Sequence, residues 1–199
     1  MILSLIFSNI LIIMMDDISN EYIGFVGEGP IEHQPPTPNI DAFASSGIFF
    51  ENFYTNPVCS PTRATVVTGR YSFRTGVGKA FKEPSGHLSL DELTFFEIAD
   101  PFSCWLGKWH LGQAFSGFDV ILHGVDLYSG RTPSWDFQDY FNWEETTSVP
   151  WQTATSPESG YLPTSEVDDS IQAILVLPEP WLIVVGISSV HVPFHRPGS

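Results

Sequence analysis

The sequence predicts an α/β domain, a sheet with helices on both of its faces. Two apolar segments, Asn9–Met15 (NILIIMM) and Trp181–Ile187 (WLIVVGI), have the composition of central strands that are covered on both sides. Segments with the start and stop residues of helices lie between them. Buried strands that alternate with helices are typical of this class, and 199 residues suffice for one domain with a hydrophobic core.

Local signals place the elements of the first half. The segment Thr37–Gly47 (TPNIDAFASSG) indicates a short helix, with threonine at the N-cap, proline in the first turn and glycine after the last residue. The apolar segment Ile48–Tyr54 is a candidate second strand. Pro61–Thr68 is the next predicted helix, because its proline can begin a helix and Gly69 can end one.

The second half is predicted to be less regular in its middle. Ser89–Ala99 is a predicted helix with the serine–glutamate spacing of a capping box, and Ser103–Leu106 is a predicted short strand. A long irregular segment is expected over residues 112–163, which are rich in Gly, Ser, Thr, Pro and Trp. Thr164–Leu177 is the last predicted helix and precedes the final strand.

The charge balance limits the class of partner. Eight basic residues stand against 23 acidic ones, which gives a net charge of −15. A nucleic-acid-binding protein normally presents a basic face, and eight lysines and arginines do not readily build one. An anionic membrane surface is disfavoured for the same reason. A small anionic substrate stays open, since it needs only a few local cations.

The cysteines and the N-terminus give weaker information. Two cysteines exclude a disulfide-dense scaffold, and a bridge between Cys59 and Cys104 is left open. The first fifteen residues are apolar but lack a basic region and a cleavage site, and they are short for a membrane span. Residues 1–8 are therefore read either as the remnant of a signal segment or as the start of the first strand.

Polar side chains just beyond predicted strand ends mark a candidate site. In open α/β sheets, ligands bind in the crevice at the carboxyl ends of the strands. Three groups lie at such places, and a cysteine-containing loop that enters a helix is a fourth; the residues are Asp16, Asp17, Cys59, Lys108, His110 and His191.

Two of these groups have both a chemical and an ordinary interpretation. Asp16 and Asp17 supply the hard oxygen ligands that Ca²⁺ or Mg²⁺ prefers, or they form a solvated strand end. Cys59 precedes a helix start, where free N–H groups favour a thiolate or an oxyanion. Arg63, one turn later, can add donors on the same side. A capped helix with a chance cysteine is the alternative.

The remaining candidates are basic or titratable. Lys108 and His110 flank a tryptophan and would project to one face of an extended segment. A cation and an imidazole form a plausible acid–base pair, although the motif is weak by itself. His191 follows the last strand and would, taken alone, be an ordinary loop histidine.

Taken together, these residues resemble the type I sulfatases, which depend on formylglycine. The segment NPVCSPTRATVVTGR is similar to the first family signature, Cys-X-Pro-X-Arg followed by Thr-Gly-Arg. LGKWHLG resembles the second signature, although Asp100-Pro101 stands where a Gly-Tyr-like pair is usual. SNILIIMMDD, TPNIDAFASSGIFFENFY and SSVHVPFHRP resemble other family segments in the expected order, so the resemblance extends from about Asn9 to Pro197.

The resemblance implies an alkaline-phosphatase/sulfatase-like fold and a modified cysteine. A formylglycine-generating enzyme would oxidise Cys59 to an aldehyde, which hydrates to a diol. One diol oxygen would attack the substrate sulfur and displace the alcohol, and loss of the other hydroxyl proton would expel sulfate. Asp16 and Asp17 would be ligands of Ca²⁺, with Mg²⁺ as the alternative, and the modified Cys59 would also bind the metal.

The resemblance also implies roles for the other site residues. Arg63 would hold the diol beside the cation, and Lys108 would contact the sulfate group. His110 would hydrogen-bond the diol and assist elimination, while His191 would contact sulfate near the leaving oxygen. Arg70, at the end of the first signature, is expected to have a structural role.

The sequence departs from the family pattern after His191. The family has an Asp-Asn or similar pair on a later strand, followed by a lysine, and no such segment follows here. Asp168-Asp169 lies within a predicted helix and cannot substitute. We therefore expect residues 9–199 to form an incomplete sulfatase catalytic domain, with the C-terminal part missing, weak metal binding and an exposed apolar sheet edge.

The resemblance implies an arylsulfatase-like sulfuric ester hydrolase that acts on a sulfated small molecule or carbohydrate. A phosphonate or phosphate ester hydrolase of the same superfamily and a catalytically dead, binding-only fragment remain alternatives. Family resemblance favours a secreted, periplasmic or lysosomal location. Trp135, Trp143 and Trp151 could stack on a sugar or aryl ring or serve in packing.

Overall fold

The computed structural model describes most of the chain as two compact units. The described residues are 8–30, 32, 34–82, 86–99, 101–112, 118–131 and 139–194. The larger unit comprises Met1–Asp16 and Asn56–Ser199, and the smaller unit comprises Asp17–Thr55. Residues 1–7 and Trp135, for which the sequence left alternatives open, lie outside the described residues.

The larger unit is built on a mixed six-stranded sheet with the strand order β1-β6-β2-β3-β4-β5. The pairs β1–β6, β6–β2 and β2–β3 are parallel, whereas β3–β4 and β4–β5 are antiparallel. The strands are β1 (Ile10–Met15), β2 (Phe102–Gly107), β3 (Leu127–Arg131), β4 (Asn142–Val149), β5 (Gln152–Ser159) and β6 (Trp181–Ile187).

Helices complete both units. The smaller unit contains a short 3₁₀ helix, Asn20–Tyr22, and helix α1, Pro38–Ser46. The helices of the larger unit are α2 (Cys59–Thr68), α3 (Ser72–Thr75), α4 (Phe95–Ile98), α5 (Phe118–Leu122) and α6 (Leu162–Val176). Among the described helices, none combines the length and the apolar character that a membrane crossing requires.

Alternate residues of the central strands supply two hydrophobic clusters. Trp105 of β2 and Val184 of β6 belong to one cluster together with Val67 of α2. The neighbouring residues on the same strands, such as Ile183, belong to a second cluster with Ala173 of α6. Because successive side chains of a strand point to opposite faces, helices cover both faces of the sheet, as the sequence predicted.

The register of the parallel strands brings three chain segments to one edge. Met15 pairs with Ile187, and Gly107 pairs with Gly186, so β1, β6 and β2 end at the same level. The residues that follow these strands therefore meet at the carboxyl edge of the sheet. Gly186 is required there, since a Cβ atom at this position would lie 2.5 Å from the Lys108 carbonyl oxygen.

Several predicted elements are confirmed with small shifts. The first and last strands and the strand around residues 103–106 are present, and α1 ends before Gly47 as predicted. Helix α2 begins at Cys59, two residues before Pro61, and α6 begins at Leu162 instead of Thr164. The prediction of a strand at Ile48–Tyr54 is wrong. This segment lies in turns and irregular backbone, Ile48 is 83% exposed, and the segment belongs to no strand of the described sheet.

The predicted helix Ser89–Ala99 is shortened to α4. The capping box is formed by Thr94 and Glu97, whose side chains and backbone amides bond reciprocally. Ser89 and Glu92, which have the same spacing, form a turn instead, with the Glu92 amide donating to the Ser89 carbonyl oxygen at 3.0 Å. The Glu92 carboxylate accepts a 2.6 Å hydrogen bond from Arg70, consistent with a structural role for that arginine.

The prediction that residues 112–163 form a long irregular segment is largely wrong. Within its described part it contains α5, β3 and the hairpin of β4 and β5. The hairpin is polar, and its cross-strand pairs include Thr146 with Thr155, whose hydroxyls lie 3.0 Å apart. Hydroxyl pairs of this kind stabilise a sheet without the apolar alternation that sequence analysis relies on.

Candidate active site

A buried ionic cluster lies at the carboxyl edge of the sheet. Asp16 follows β1, Lys108 follows β2, and α2 brings Arg63 against both. Lys108 Nζ donates to Asp16 Oδ2, and Arg63 Nη2 donates to Asp16 Oδ1 at 3.3 Å. Arg63 Nη1 also donates to the Lys108 carbonyl oxygen. These contacts fix the helix that contains the candidate nucleophile to the ends of two strands.

The cluster carries an excess of positive charge. Its three members are at most 6% exposed, and two of them are cations against one carboxylate. Burial alone would raise the pKa of Asp16, but Arg63 and Lys108 outweigh that effect and hold the pKa below its usual value. Burial lowers the pKa of Lys108, and the Asp16 carboxylate opposes this shift. Such a cluster suits an anionic ligand.

Cys59 and His110 form a hydrogen-bonded pair beside this cluster. Cys59 is the first residue of α2, and its Sγ lies 3.1 Å from His110 Nδ1. His110 Nε2 lies 2.6 Å from the Phe81 carbonyl oxygen, which can only accept, so Nε2 bears the hydrogen. In the neutral ring Nδ1 is then the acceptor, and the Cys59 thiol donates to it.

The imidazole of His110 is held in its neutral form. Burial, and next the charge of Lys108, lower the pKa of His110 to about 4. The residue also has a left-handed backbone, with φ at 58°. Non-glycine residues in this conformation cluster at functional sites, where the surrounding structure maintains the strain. A neutral base therefore faces the Cys59 side chain at neutral pH.

Arg63 is the best-buried member of the site on α2. It stands four residues after Cys59, which puts both side chains on one face of the helix. Its side chain is 2% exposed. Within the described part of the chain, its Nε atom has no hydrogen-bond partner although it is buried. A buried donor without a partner is costly, and a bound acceptor would satisfy it.

His191 occupies the turn that follows β6. Its backbone amide donates to the Ser188 carbonyl oxygen at 3.1 Å, and its own carbonyl accepts a 2.8 Å bond from the Tyr140 hydroxyl. Its Nδ1 lies 2.7 Å from the Val192 carbonyl oxygen. The turn is thus well anchored, and a contact between His191 and sulfate stays a prediction.

The structure adds an acid that the sequence analysis missed. Glu166 of α6 is 3% exposed, and its carboxylate accepts bonds from the Ser188 amide at 2.9 Å and the Ser188 hydroxyl at 2.6 Å. Burial raises the pKa of Glu166 to about 7, although the Ser188 bonds oppose the shift. Glu166 lies on the same face of α6 as the buried residues Leu162, Ser170 and Ala173. This helical spacing, visible in the sequence, could have identified it as a buried acid.

The described residues do not form a complete calcium site by themselves. No group of three or more His, Cys, Asp and Glu residues is arranged to hold a metal in the ranges that the structure describes. Both oxygens of Asp16 face basic groups. Asp17 is the first residue of the smaller unit, and its role as a ligand stays a prediction. Ca²⁺ prefers six to eight oxygen ligands, and Asp16 and Asp17 would supply only part of that number.

Five of the predicted site residues form two contacting groups. Asp16, Arg63 and Lys108 form the ionic cluster, and Cys59 bonds His110, two residues beyond Lys108. A buried cation pair, a neutral base and a nucleophile at a helix start are the parts expected of an enzyme that acts on an anionic ester.

Comparison with known proteins agrees with this class. A model of the sulfatase family matches residues 8–198, and the chain therefore belongs to the sulfatase family. Human N-acetylgalactosamine-6-sulfatase is 37% identical over an alignment that covers 67% of this chain and 27% of that protein. Bovine arylsulfatase A is 40% identical, with 64% of this chain and 26% of that protein covered.

A solved structure has the same fold. It is BT4656 in complex with its substrate D-glucosamine-2-N,6-O-disulfate, with a TM-score of 0.73 and 25% identity. The superposition covers 93% of this chain and 35% of that chain. The chain thus spans about a quarter of the length of these two curated relatives. The predicted alkaline-phosphatase/sulfatase-like fold and the family are confirmed.

Proposed function

We propose that this chain provides the nucleophile-bearing part of a sulfuric ester hydrolase of the arylsulfatase type. One observation carries the proposal: Cys59, at the start of α2, bonds the neutral imidazole of His110 beside the buried Asp16–Arg63–Lys108 cluster. The match of the sulfatase family model to residues 8–198 supports the same proposal.

The chemistry starts from modification of Cys59 to formylglycine by a formylglycine-generating enzyme. Once formed and hydrated, this group supplies two hydroxyls on one carbon, one to attack sulfur and one whose deprotonation expels sulfate. The site fits it, because an acceptor already lies 3.1 Å from the side-chain position that it would occupy. His110 Nδ1 would take the hydroxyl proton there, with the hydrogen on Nε2 held by the Phe81 carbonyl.

The two buried cations would stabilise charge on the sulfate group. Lys108 and Arg63 outnumber the Asp16 carboxylate, so their charges are only partly compensated within the cluster. Preorganised cations in a water-poor site favour a transition state in which negative charge builds on oxygen. We propose that Lys108 contacts the sulfuryl oxygens, that Arg63 holds the hydrated Cys59 group, and that His191 approaches the leaving oxygen.

The proposal assigns only some of the ligands of a calcium ion to this chain. We propose Asp16, Asp17 and the modified Cys59 as ligands of Ca²⁺ or Mg²⁺. The further oxygens that such an ion requires would come from segments of the longer relatives that this chain does not match.

We propose a carbohydrate sulfate as the substrate, with an aryl sulfate as a simple analogue. One relative is named for N-acetylgalactosamine 6-sulfate, and the structural neighbour holds a glucosamine disulfate, so amino-sugar sulfates are the first compounds to test. A secreted, periplasmic or lysosomal location, where such sugars occur, is part of the same proposal.

Ester hydrolysis tests the function. The chain is produced together with a formylglycine-generating enzyme and supplied with Ca²⁺, and hydrolysis of 4-nitrophenyl sulfate is compared with that of bis(4-nitrophenyl) phosphate. Whatever hydrolysis this part of the enzyme supports should be faster for the sulfate than for the phosphodiester and should be lost in Cys59→Ala. Faster phosphodiester turnover would favour the phosphohydrolase alternative, and a modified chain without any turnover would favour the binding-only alternative. Activity that survives in Cys59→Ala would contradict the nucleophile assignment.

A further inference from the structure

A groove lies next to the candidate nucleophile, and its two lysines have no part in the chemistry above. Its volume is about 690 Å³, and its lining includes Pro57, Val58, Lys79, Phe81 and Lys82. This volume is within the range of about 300–1,000 Å³ that is usual for small-molecule sites. The groove is therefore large enough for a sugar unit.

Hydrogen bonds join the groove to the site. Val58 directly precedes Cys59 in the chain. On the other wall, the Phe81 carbonyl accepts from His110 Nε2 at 2.6 Å, and the Phe81 amide donates to Ser60 Oγ at 3.1 Å. A ligand in the groove would consequently lie alongside the Cys59–His110 pair.

The two lysines stand out in a strongly acidic chain. The protein has eight lysines and arginines against 23 acids. Arg63, Arg70 and Lys108 are paired with carboxylates. Lys79 and Lys82 are exposed, and within the described residues neither has an ion pair or a hydrogen bond. Two cations that lack partners among the described residues, in a groove that is also lined by Val58 and Phe81, attract anions to this side of the site.

We propose that the groove binds a second anionic group of the substrate, so that the preferred substrate is a saccharide with a sulfate or carboxylate besides the ester that is cleaved. The inference rests on the proposed function. Lys79 and Lys82 provide the charge, and the apolar side chains of Pro57, Val58 and Phe81 provide a surface for the face of a sugar ring.

The expected size of the effect is modest. Exposed ion pairs contribute little each, because water and salt screen them, so removing both lysines should weaken binding of a doubly charged sugar by about threefold to tenfold. The effect should shrink as salt is added. A sugar with one sulfate should lose almost nothing.

Calorimetry on the chain with unmodified Cys59, which cannot turn over substrate, tests the inference. The probes are N-acetylgalactosamine 4,6-disulfate and N-acetylgalactosamine 6-sulfate. We expect tighter binding of the disulfate, loss of that preference in Lys79→Gln/Lys82→Gln, and its retention in Lys79→Arg/Lys82→Arg. Arg74→Gln removes one positive charge outside the groove and is the control for loss of charge elsewhere, because Arg74 lies over the Phe73 ring and does not line the groove.

The outcomes separate the inference from the proposed function. No preference for the disulfate in the parent chain, an unchanged preference in the double glutamine variant, or an equal loss in Arg74→Gln would overturn the inference. Hydrolysis of 4-nitrophenyl sulfate at a saturating concentration does not need the groove, so its kcat should be the same in the double glutamine variant. A chain that prefers the disulfate but, once modified, hydrolyses no sulfate ester would instead contradict the function alone.

Discussion

At the scale of single residues, the site depends on groups whose environment differs sharply from water. His110 is neutral because it is buried beside a lysine, and Asp16 is charged because two cations outweigh its burial. Glu166 is buried as well, but the residue that donates hydrogen bonds to it, Ser188, is neutral. Burial therefore raises the pKa of Glu166 to about 7. Glu166 holds the start of the segment that leads to His191, so it acts on the site by positioning.

The raised pKa of Glu166 predicts that the stability of the fold depends on pH. Its pKa is higher in the folded chain than the usual 4.5, so the native state holds a proton that the unfolded state has lost at intermediate pH. The free energy of unfolding should therefore fall as pH rises from about 5 to 8, by on the order of 2–3 kcal/mol from this group. Glu166→Gln should lack this part of the decline, because a neutral amide does not titrate.

Urea unfolding of both proteins across that pH range measures the difference. Arg63 and Asp16 act on Glu166 from neighbouring elements with opposite signs, and Glu145 has a similarly raised pKa in both proteins, so only the difference between the curves is diagnostic. Glu144→Gln removes an exposed carboxylate and serves as the control. Parallel curves for the parent and Glu166→Gln would contradict the assignment.

Most site residues could be predicted from the sequence because their signals are local. Cys59 and Arg63 stand in one signature, and Asp16, Lys108 and His110 follow strand-like segments. The supporting groups could not be predicted in the same way. The Phe81 carbonyl contributes through its backbone, which leaves no trace in residue type, and it lies 29 residues from His110.

At the scale of elements, two glycines without a Cβ atom allow the backbones at the carboxyl ends of β2 and β6 to lie close together. Gly107 has φ at 78°, and a Cβ atom there would lie 2.4 Å from the Gly186 carbonyl oxygen. A Cβ atom at Gly186 would lie 2.9 Å from Arg63 Nη1 as well as 2.5 Å from the Lys108 carbonyl oxygen. These two glycine positions therefore determine both how closely β2 approaches β6 and where the Arg63 guanidinium lies.

Gly186→Ala should consequently destabilise the fold and disturb the site. The added methyl group must displace backbone atoms of Lys108, and overpacking of this kind costs about 1–3 kcal/mol. Gly78→Ala is the matched control, since a Cβ atom there meets nothing within 4 Å. Urea unfolding should show a loss of stability for Gly186→Ala and almost none for Gly78→Ala. Equal stability of the two variants would contradict the close approach.

Elements were predicted well where apolar composition decided them and poorly where polar contacts did. The strands β1 and β6 are continuous apolar segments, and both were found. The hairpin of β4 and β5 was missed because threonine and serine pairs stabilise it. Two segments near α4, Ser89–Glu92 and Thr94–Glu97, have the spacing of a capping box. The contact between Arg70 and Glu92, which lie far apart in the sequence, holds Glu92 outside the helix, so Thr94 and Glu97 form the box.

At the scale of the whole molecule, half of the few basic residues lie in the candidate site or in the groove next to it. Of eight basic residues, Arg63 and Lys108 are buried in the site and Lys79 and Lys82 line the adjoining groove, while the net charge is −15. An acidic surface with a local basic site would direct an anionic substrate to Cys59. β1 lies at one end of the described sheet, and its Ile13 is 56% exposed, in agreement with the expected apolar edge.

The central claim is that the thiol of Cys59 is replaced by an aldehyde, and mass spectrometry of the peptide that contains it tests this most directly. The chain is produced with a formylglycine-generating enzyme, and the buried Cys104 serves as the internal control. We predict that the Cys59 peptide shows the mass of an aldehyde in place of the thiol and reacts with a hydrazide, while Cys104 stays a thiol. A Cys59 peptide that keeps its thiol, under conditions in which the same enzyme converts a known sulfatase, would contradict the account.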